Sequence, residues 1–262
     1  RCVQLGANLA AGAGAGGDPE VGRQSAEADR AVLQEVLSEA DLVLLVAGMG
    51  GGTGTGAAPV LARAATEAGI RVLAFAILPF EFEGSRRCAQ AADGVAALRQ
   101  VADAVICLPN QRLFELCGSE AHPERAFEEA DGLLASGIYA IGKALARTGT
   151  LNLRLPDFMR LLEQGQTDGC VLACVQGSGP GRVAIALEAL KAHPILERGA
   201  VLARTPAFLA SVLAGTDLSL GELNELLPAI AAMGGADAMQ MTGLVCDPDW
   251  QDRLLVTVLA CD

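Results

Sequence analysis

Residues 48–58 read GMGGGTGTGAA and overlap the end of the apolar run LVLLVAG at 42–48. The apolar run predicts a buried strand, and AAPVLARAATEAG (57–69) predicts a helix with Pro59 in its first turn and a stop at Gly69. A glycine-rich turn between a strand and a helix lets backbone N–H groups surround an anion at the positive end of the helix dipole. The first nine residues of the stretch contain six glycines, more than a tight turn needs. The stretch therefore predicts a phosphate-binding loop.

The pattern of strands and helices continues after the loop. RVLAFAILP and AVICLPN predict further apolar strands, and the segment between them predicts a helix. Apolar strands that alternate with helices are typical of a parallel sheet covered by helices. We therefore expect an α/β fold with a Rossmann-like parallel-sheet domain at 1–124, a long central helix at 125–149 and a smaller mixed α/β domain at 150–262.

Composition excludes several classes of protein. The net charge is −12 and the 19 Lys and Arg residues form no run, which argues against general affinity for nucleic acid. No apolar stretch reaches the roughly 18–20 residues that span a bilayer, and no signal sequence opens the chain. We expect a cytoplasmic protein.

The eight cysteines are scattered, mostly inside apolar segments. They are expected to be buried free thiols in a reducing compartment, since a chain of 262 residues rarely needs disulfides. With only two histidines and no CxxC pair, a zinc site is not expected.

Two common phosphate loops fit the glycine stretch poorly. A Walker A loop needs a lysine after its glycines, and the nearest match, GIYAIGKA at 137–144, lies inside the predicted long helix. Gly52, Gly54 and Ala57 satisfy GxGxxA, but the next strand ends in LPF without the acidic residue that holds a ribose. A nicotinamide-dependent enzyme is thus a third, weaker alternative.

The extended stretch GMGGGTGTGAAPV resembles the signature loop of the FtsZ/tubulin GTPase superfamily. Six further segments resemble that family in the same order along the chain: GAGAGGDPEVG (12–22), PFEFEGSRR (79–87), LPNQRL (108–113), AFEEAD (126–131), TLNLRLPD (150–157) and GTDLSLGEL (215–223). The resemblance covers essentially the whole chain, and it implies a GTP or GDP site with Mg²⁺.

The resemblance also implies which residues contact the nucleotide. Glu83 would reach the ribose, Phe127 would stack on the base or lie in the core, and the Asp131 carboxylate would accept hydrogen bonds from guanine. The implied GTP-binding residues are Ala15, Gly16, Gly51, Gly52, Thr53, Gly54, Thr55, Glu83, Arg87, Phe127 and Asp131. No residue is assigned as a metal ligand.

Family members hydrolyse GTP between subunits, so the resemblance implies a head-to-tail homopolymer. Asn152 and Asp157 would enter the next subunit's pocket and orient the attacking water. Such a polymer would act in cell division at the division site, with adaptor proteins and only indirect membrane contact.

Arg154 departs from the family, which has an aspartate at that position. An arginine facing phosphates stabilises developing charge or displaces Mg²⁺, and we expect slower hydrolysis than in a typical member. The alternative function is a scaffold that binds GTP and polymerises with little or no hydrolysis.

The start of the chain also departs from the family pattern. No counterpart of the family's first strand and first glycine loop precedes Arg1, and Val3 resembles the tail of a strand. The family's C-terminal linker and adaptor-binding peptide have no counterpart after 262 either. We expect a core fragment that binds nucleotide poorly or not at all.

Overall fold

The computed structural model describes residues 2–7, 14–112, 123–145, 151, 153–164 and 170–261. The chain divides into two compact units, Arg1–Gln111 and Arg112–Asp262. The division into 1–124, 125–149 and 150–262 stays a prediction. None of the helices in the described part of the chain combines the length and the apolar character that a bilayer crossing requires.

The first unit contains a parallel sheet whose strands are β1 (Leu42–Gly48), β2 (Arg71–Leu78) and β3 (Ala104–Pro109), and its helices are α1 (Pro19–Ala28), α2 (Arg30–Leu37), α3 (Gly52–Glu67) and α4 (Ser85–Arg99). The strand order is β1–β2–β3, with Leu42 opposite Arg71 and Leu73 opposite Ala104. The order strand, helix, strand, helix, strand is the one that the sequence predicts.

The core of the first unit is rich in alanine. Residues 72–76 in β2 are fully buried. One apolar cluster joins the helix and the strand, and it contains Ala62, Ala64 and Ala65 of α3 with Val72, Ala74 and Ala76 of β2. Alanine lets helix and sheet approach closely, which fits an aromatic content of 3%. Strand β1 is less buried than its apolar sequence predicts, because residues 42–45 are half-buried and Val46 is 43% exposed.

Helix α3 begins earlier than predicted. It starts at Gly52, inside the glycine stretch, so Pro59 lies in the middle of the helix and not in its first turn. Glycine has poor helix propensity, but here its missing Cβ allows close packing that determines the helix start. The predicted stop is confirmed, since Gly69 has a φ of 77° and the Ile70 N–H donates to the Ala65 carbonyl at 3.0 Å.

The described part of the second unit contains four strands and five α-helices. The strands are β4 (Cys170–Ser178), β5 (Ala207–Ala214), β6 (Met239–Cys246) and β7 (Arg253–Cys261); the helices are α5 (Pro123–Leu145), α6 (Leu155–Gln164), α7 (Arg182–Ala192), α8 (Ala200–Arg204) and α9 (Leu220–Ala231). The strands lie in the order β4–β7–β5–β6. The pairs β4–β7 and β7–β5 are antiparallel, and the pair β5–β6 is parallel. The predicted mixed α/β character is confirmed.

The long helix is confirmed over Pro123–Leu145, and the last four residues predicted for it lie outside the described residues. Ala140, Ile141 and Ala144 are fully buried, and the Tyr139 hydroxyl donates to Asp247 Oδ2 at 2.8 Å. Helix α5 is therefore a core element of the second unit.

The expectation that Val3 ends a strand is wrong, because residues 2–4 form neither strand nor helix. An apolar residue near a chain start gives too short a pattern to define a strand.

The expectation of free, buried cysteines is also wrong in part. Cys170 and Cys261 form a disulfide, because they lie directly opposite each other at the ends of β4 and β7. The two cysteines are 91 residues apart in the sequence, so the sequence alone does not show that they face each other across paired strands. Cys174 is a buried thiol, Cys88, Cys107 and Cys246 are half-buried, Cys2 is exposed, and Cys117 lies outside the described residues.

Candidate functional site

The start of helix α3 is a bare backbone terminus. Gly51 is the N-cap with φ −93° and ψ 177°, and no side chain caps the first N–H groups of this 16-residue helix. A Cβ built on Gly48 or on Gly51 would meet no atom within 4 Å. The N–H groups at this terminus therefore border open space, with the positive end of the helix dipole behind them.

Other glycines of the stretch serve packing. A Cβ on Gly54 would lie 2.1 Å from the Gly48 carbonyl oxygen, and one on Gly52 would lie 2.7 Å from Ala15 Cβ and from Asp18 N. No flexible side chain could move to relieve the first contact, because the atom belongs to the backbone. These two glycines bring the helix terminus against the end of β1 and against the upstream loop.

The upstream loop contains the predicted residues Ala15 and Gly16. The Ala15 carbonyl accepts from Asp18 N–H at 2.9 Å, and Asp18 Oδ1 caps α1 by accepting from Glu20 N–H at 2.9 Å. Gly16 is exposed with a φ of 57°. The structure thus brings Ala15 beside Gly52, with Gly16 next to it in the chain.

The two threonines of the stretch differ. Thr53 is exposed, whereas Thr55 is buried and its Oγ1 accepts from Gly50 N–H at 2.8 Å. Gly50 has a φ of 91°, and a Cβ there would lie 2.6 Å from the Arg87 carbonyl oxygen. The Thr55 side chain holds the turn, while the Thr53 hydroxyl is accessible to a ligand.

Glu83 lies in the turn just before α4, Arg87 lies in the first turn of α4, and their side chains pair with each other. Arg87 contacts Glu83 Oε2 at 2.9 Å, and Glu83 Oε1 accepts from Phe80 N–H at 2.8 Å. The Glu83 side chain is only 14% exposed. The glutamate therefore orders this loop, and its contact with a ribose stays a prediction.

Four predicted residues belong to the second unit: Phe127, Asp131, Asn152 and Asp157. Phe127 and Asp131 are both in α5, and Asp131 is exposed. Asn152 lies outside the described residues. Their contacts with a nucleotide or an attacking water stay predictions.

Asp157 is described in full and lies in the first turn of α6. Arg154 Nε donates to Asp157 Oδ2 at 2.7 Å, and this hydrogen bond is the main reason why the pKa of Asp157 is lowered. The carboxylate is ionised and one of its oxygens is already engaged within the chain. Sequence reasoning singled out both residues but missed their pairing, although i,i+3 spacing at a helix start permits it.

Sequence reasoning also missed two residues near the loop. Asp18 joins the upstream loop to α1, and the dipeptide Asp18-Pro19 is a recognisable helix-start signal. Phe82 is 66% exposed and stacks on Phe80 with ring centroids 4.9 Å apart. A single exposed aromatic has no sequence signal of its own.

A parallel sheet with a bare glycine loop at the carboxyl end of a strand, followed by a second mixed unit, defines an α/β protein of the nucleotide-binding class. Residues 1–118 match the Tubulin/FtsZ family, GTPase domain. The cell division protein FtsZ of Pseudomonas putida is 39% identical over 258 residues, which are 98% of this chain and 64% of that protein. Residues 1–118 therefore carry the Tubulin/FtsZ GTPase domain, and the chain as a whole is similar to FtsZ.

Solved structures agree with this assignment. An empty FtsZ dimer from M. jannaschii has a TM-score of 0.88 and 25% identity, with 98% of this chain and 74% of that chain covered. A GTPγS-bound protofilament of CetZ2 from Haloferax volcanii has a TM-score of 0.70 and 22% identity over 98% of this chain and 77% of that chain, which supports the fold alone. The predicted fold class is confirmed. The chain spans 64% of the length of the curated P. putida relative.

Proposed function

We propose that this chain is the core of a GTPase that assembles head to tail into filaments in bacterial cell division. GTP would bind at the start of α3, and hydrolysis would need a neighbouring copy. The proposed site of action is the cytoplasm at the division site, with membrane contact only through adaptor proteins. The proposed domain roles are nucleotide binding for 1–124, connection for 125–149 and activation for 150–262.

The observation that carries the proposal is the uncapped N-terminus of α3. Open space borders Gly48 and Gly51, and the exposed Thr53 adds a hydroxyl donor. These groups suit the β- and γ-phosphates of a nucleotide. Ala15 borders the same terminus, and Ala15 and Gly16 would contact the phosphates from the upstream loop.

Mg²⁺ would neutralise the charge of the phosphates when bound. Across the described ranges, no three His, Cys, Asp or Glu side chains form a group that could hold a metal. Magnesium is commonly held by one or two carboxylates together with substrate phosphates and water. The phosphate cradle is therefore compatible with the cation, and the cation would depend mainly on the nucleotide for its ligands.

Self-association is supported by two exposed apolar side chains, one in each unit. Leu220 at the start of α9 is 84% exposed, and Phe82 is 66% exposed. A site completed by a second copy requires a heterologous interface, which repeats into a filament when its rotation does not close. The M. jannaschii FtsZ structure is a dimer and the CetZ2 structure is a protofilament.

Asp157 is the proposed catalytic carboxylate, and Asn152, earlier in the segment TLNLRLPD (150–157), is the second proposed catalytic residue. An ionised carboxylate can accept a hydrogen bond from the attacking water and orient it. The second candidate function, a GTP-binding scaffold with little hydrolysis, is favoured by the ion pair that already occupies Asp157. The two functions differ only in turnover.

Two measurements test the proposal. Thermal unfolding of the chain with GTP, GDP, ATP and NAD should show protection by the guanine nucleotides alone. Phosphate release measured beside light scattering then separates the functions, because polymer without turnover indicates the scaffold. Equal protection by ATP and GTP, together with no scattering, contradicts both.

Substitution of Arg154 tests its effect on hydrolysis. The variant Arg154→Asp restores a carboxylate at the position where the family carries one, and we expect faster phosphate release per polymerised subunit than in the natural chain. Equal rates in the two proteins would overturn the expectation that Arg154 slows hydrolysis.

A further inference from the structure

Arg154 and Asp157 form a local pair at the start of α6. The Arg154 carbonyl accepts from the N–H groups of Asp157 at 3.1 Å and Phe158 at 3.0 Å, and its guanidinium reaches forward to the Asp157 carboxylate. The Arg154 side chain is 77% exposed and that of Asp157 is 30% exposed. The arginine is thus accessible to a ligand while it holds the aspartate.

The surroundings of Asp157 are positive. Arg154 and Arg160 both lower the pKa of Asp157, and the carboxylate also lies at the positive end of the α6 dipole. The carboxylate stays charged at neutral pH, so it holds Arg154 whenever no stronger anion is near. One carboxylate oxygen is then unavailable to a water molecule.

The pair is weak enough to exchange. An exposed i,i+3 ion pair changes the equilibrium constant between its paired and separated forms by less than about fivefold. A terminal phosphate carries more charge than a carboxylate and presents oxygens to two guanidinium N–H groups at once. A triphosphate that approaches this helix start therefore competes successfully for Arg154.

We propose that Arg154 senses the terminal phosphate of a neighbouring copy's nucleotide and that its departure from Asp157 releases the carboxylate. This inference rests on the proposed function and adds to it a switch within one chain. Before assembly, Arg154 holds Asp157. After assembly, Arg154 binds the terminal phosphate, and the released Asp157 oxygen accepts a hydrogen bond from the attacking water. The exchange moves only hydrogen bonds, and no proton or covalent bond changes until water attacks.

The proposal predicts opposite effects of two substitutions on assembly. Critical concentrations of the purified chain are measured by sedimentation with GDP and with the β,γ-methylene analogue of GTP. Arg154→Gln should raise the critical concentration about tenfold or more with the analogue and less than about twofold with GDP. Asp157→Asn should lower it by about twofold to fivefold with the analogue, because Arg154 is no longer held.

The double variant and a matched control complete the experiment. Arg154→Gln combined with Asp157→Asn should behave like Arg154→Gln alone, since Asp157 acts on assembly only through Arg154. Lys191→Gln removes another exposed i,i+3 pair, between Lys191 and Glu188 at 2.9 Å, and should change nothing beyond about twofold. Thermal unfolding of every variant checks that it folds.

The outcomes separate the switch from the proposed function. If the natural chain assembles but Arg154→Gln weakens assembly equally with GDP and the analogue, the sensing role is wrong and the proposed function stands. If the Asp157→Asn chain assembles no better than the natural chain, Asp157 and the terminal phosphate do not compete for Arg154, and the proposed switch is wrong. A natural chain that assembles with neither nucleotide overturns both.

Discussion

The two units of this chain hold their candidate functional segments in different ways. In the first unit the segment is backbone, and glycines at 52 and 54 fit where no side chain could. In the second unit the segments are held by charged side chains, as in the Arg154–Asp157 pair and in the contacts of Arg182 with Asp217 and Glu222. A segment shaped by its backbone is hard to alter without destabilising the fold. A segment held by side-chain ion pairs can lose its contacts through a single substitution.

The largest expected effect tests the backbone site. Gly54→Ala places a Cβ where the Gly48 carbonyl oxygen is only 2.1 Å away, and we expect a loss of about 3 kcal/mol or more in the free energy of unfolding. Urea unfolding without nucleotide measures it. Gly51→Ala is the matched control, because its Cβ meets open space and should cost less than about 1 kcal/mol. Similar losses in both variants would contradict the packing role of Gly54.

A second test uses pH in the second unit. His193 is 1% exposed, and burial lowers its pKa from 6.5 to about 4. Between those pH values the unfolded chain binds a proton that the folded chain does not. The stability from the neutral ring is therefore complete above pH 6.5 and decreases as the pH falls, by about 2–3 kcal/mol at pH 4. Urea unfolding from pH 7 to pH 4 should show a smaller decrease in His193→Gln than in the natural chain; equal decreases would show that the ring titrates normally.

A third test removes a paired cation. Arg182 is 5% exposed and contacts Asp217 Oδ2 and Glu222 Oε1 at 2.7 Å each. Arg182→Met removes the cation that pairs with the Asp217 and Glu222 carboxylates. Because both carboxylates are partly exposed, we expect a loss of about 2 kcal/mol in the free energy of unfolding. The exposed pair removed by Lys191→Gln is the control and should cost less than about 0.5 kcal/mol. If the two variants have similar urea midpoints, the buried Arg182 contributes no more to the free energy of unfolding than an exposed ion pair does.

The smallest effect on stability is expected for Arg154, which belongs to the proposed switch. Arg154→Gln breaks a pair whose arginine is 77% exposed, so the free energy of unfolding should change by less than about 1 kcal/mol. Chemical unfolding of this variant beside the natural chain measures the difference. A loss as large as that of Arg182→Met would indicate that Arg154 has a structural role.

Residue pattern predicted the strands β1 and β2 and the Gly69 stop of α3, because apolar runs and a left-handed glycine are local signals. The start of α3 could not be predicted, since it depends on the contact of Gly52 with Ala15 and Asp18. The resemblance of the glycine loop to a phosphate-binding loop could be seen in the sequence because glycines carry it, and its contacts with a nucleotide stay a prediction. The ion pair between Asp157 and Arg154 could not be predicted, because the sequence does not show which neighbouring side chain the Asp157 carboxylate contacts.

The Cys170–Cys261 disulfide joins the first residue of β4 to the last residue of β7. Every surface turn between these strands lies inside the loop that the crosslink closes. A protease that cuts one of those turns in the oxidised protein would produce two fragments that migrate together on a gel and separate only after a reductant is added.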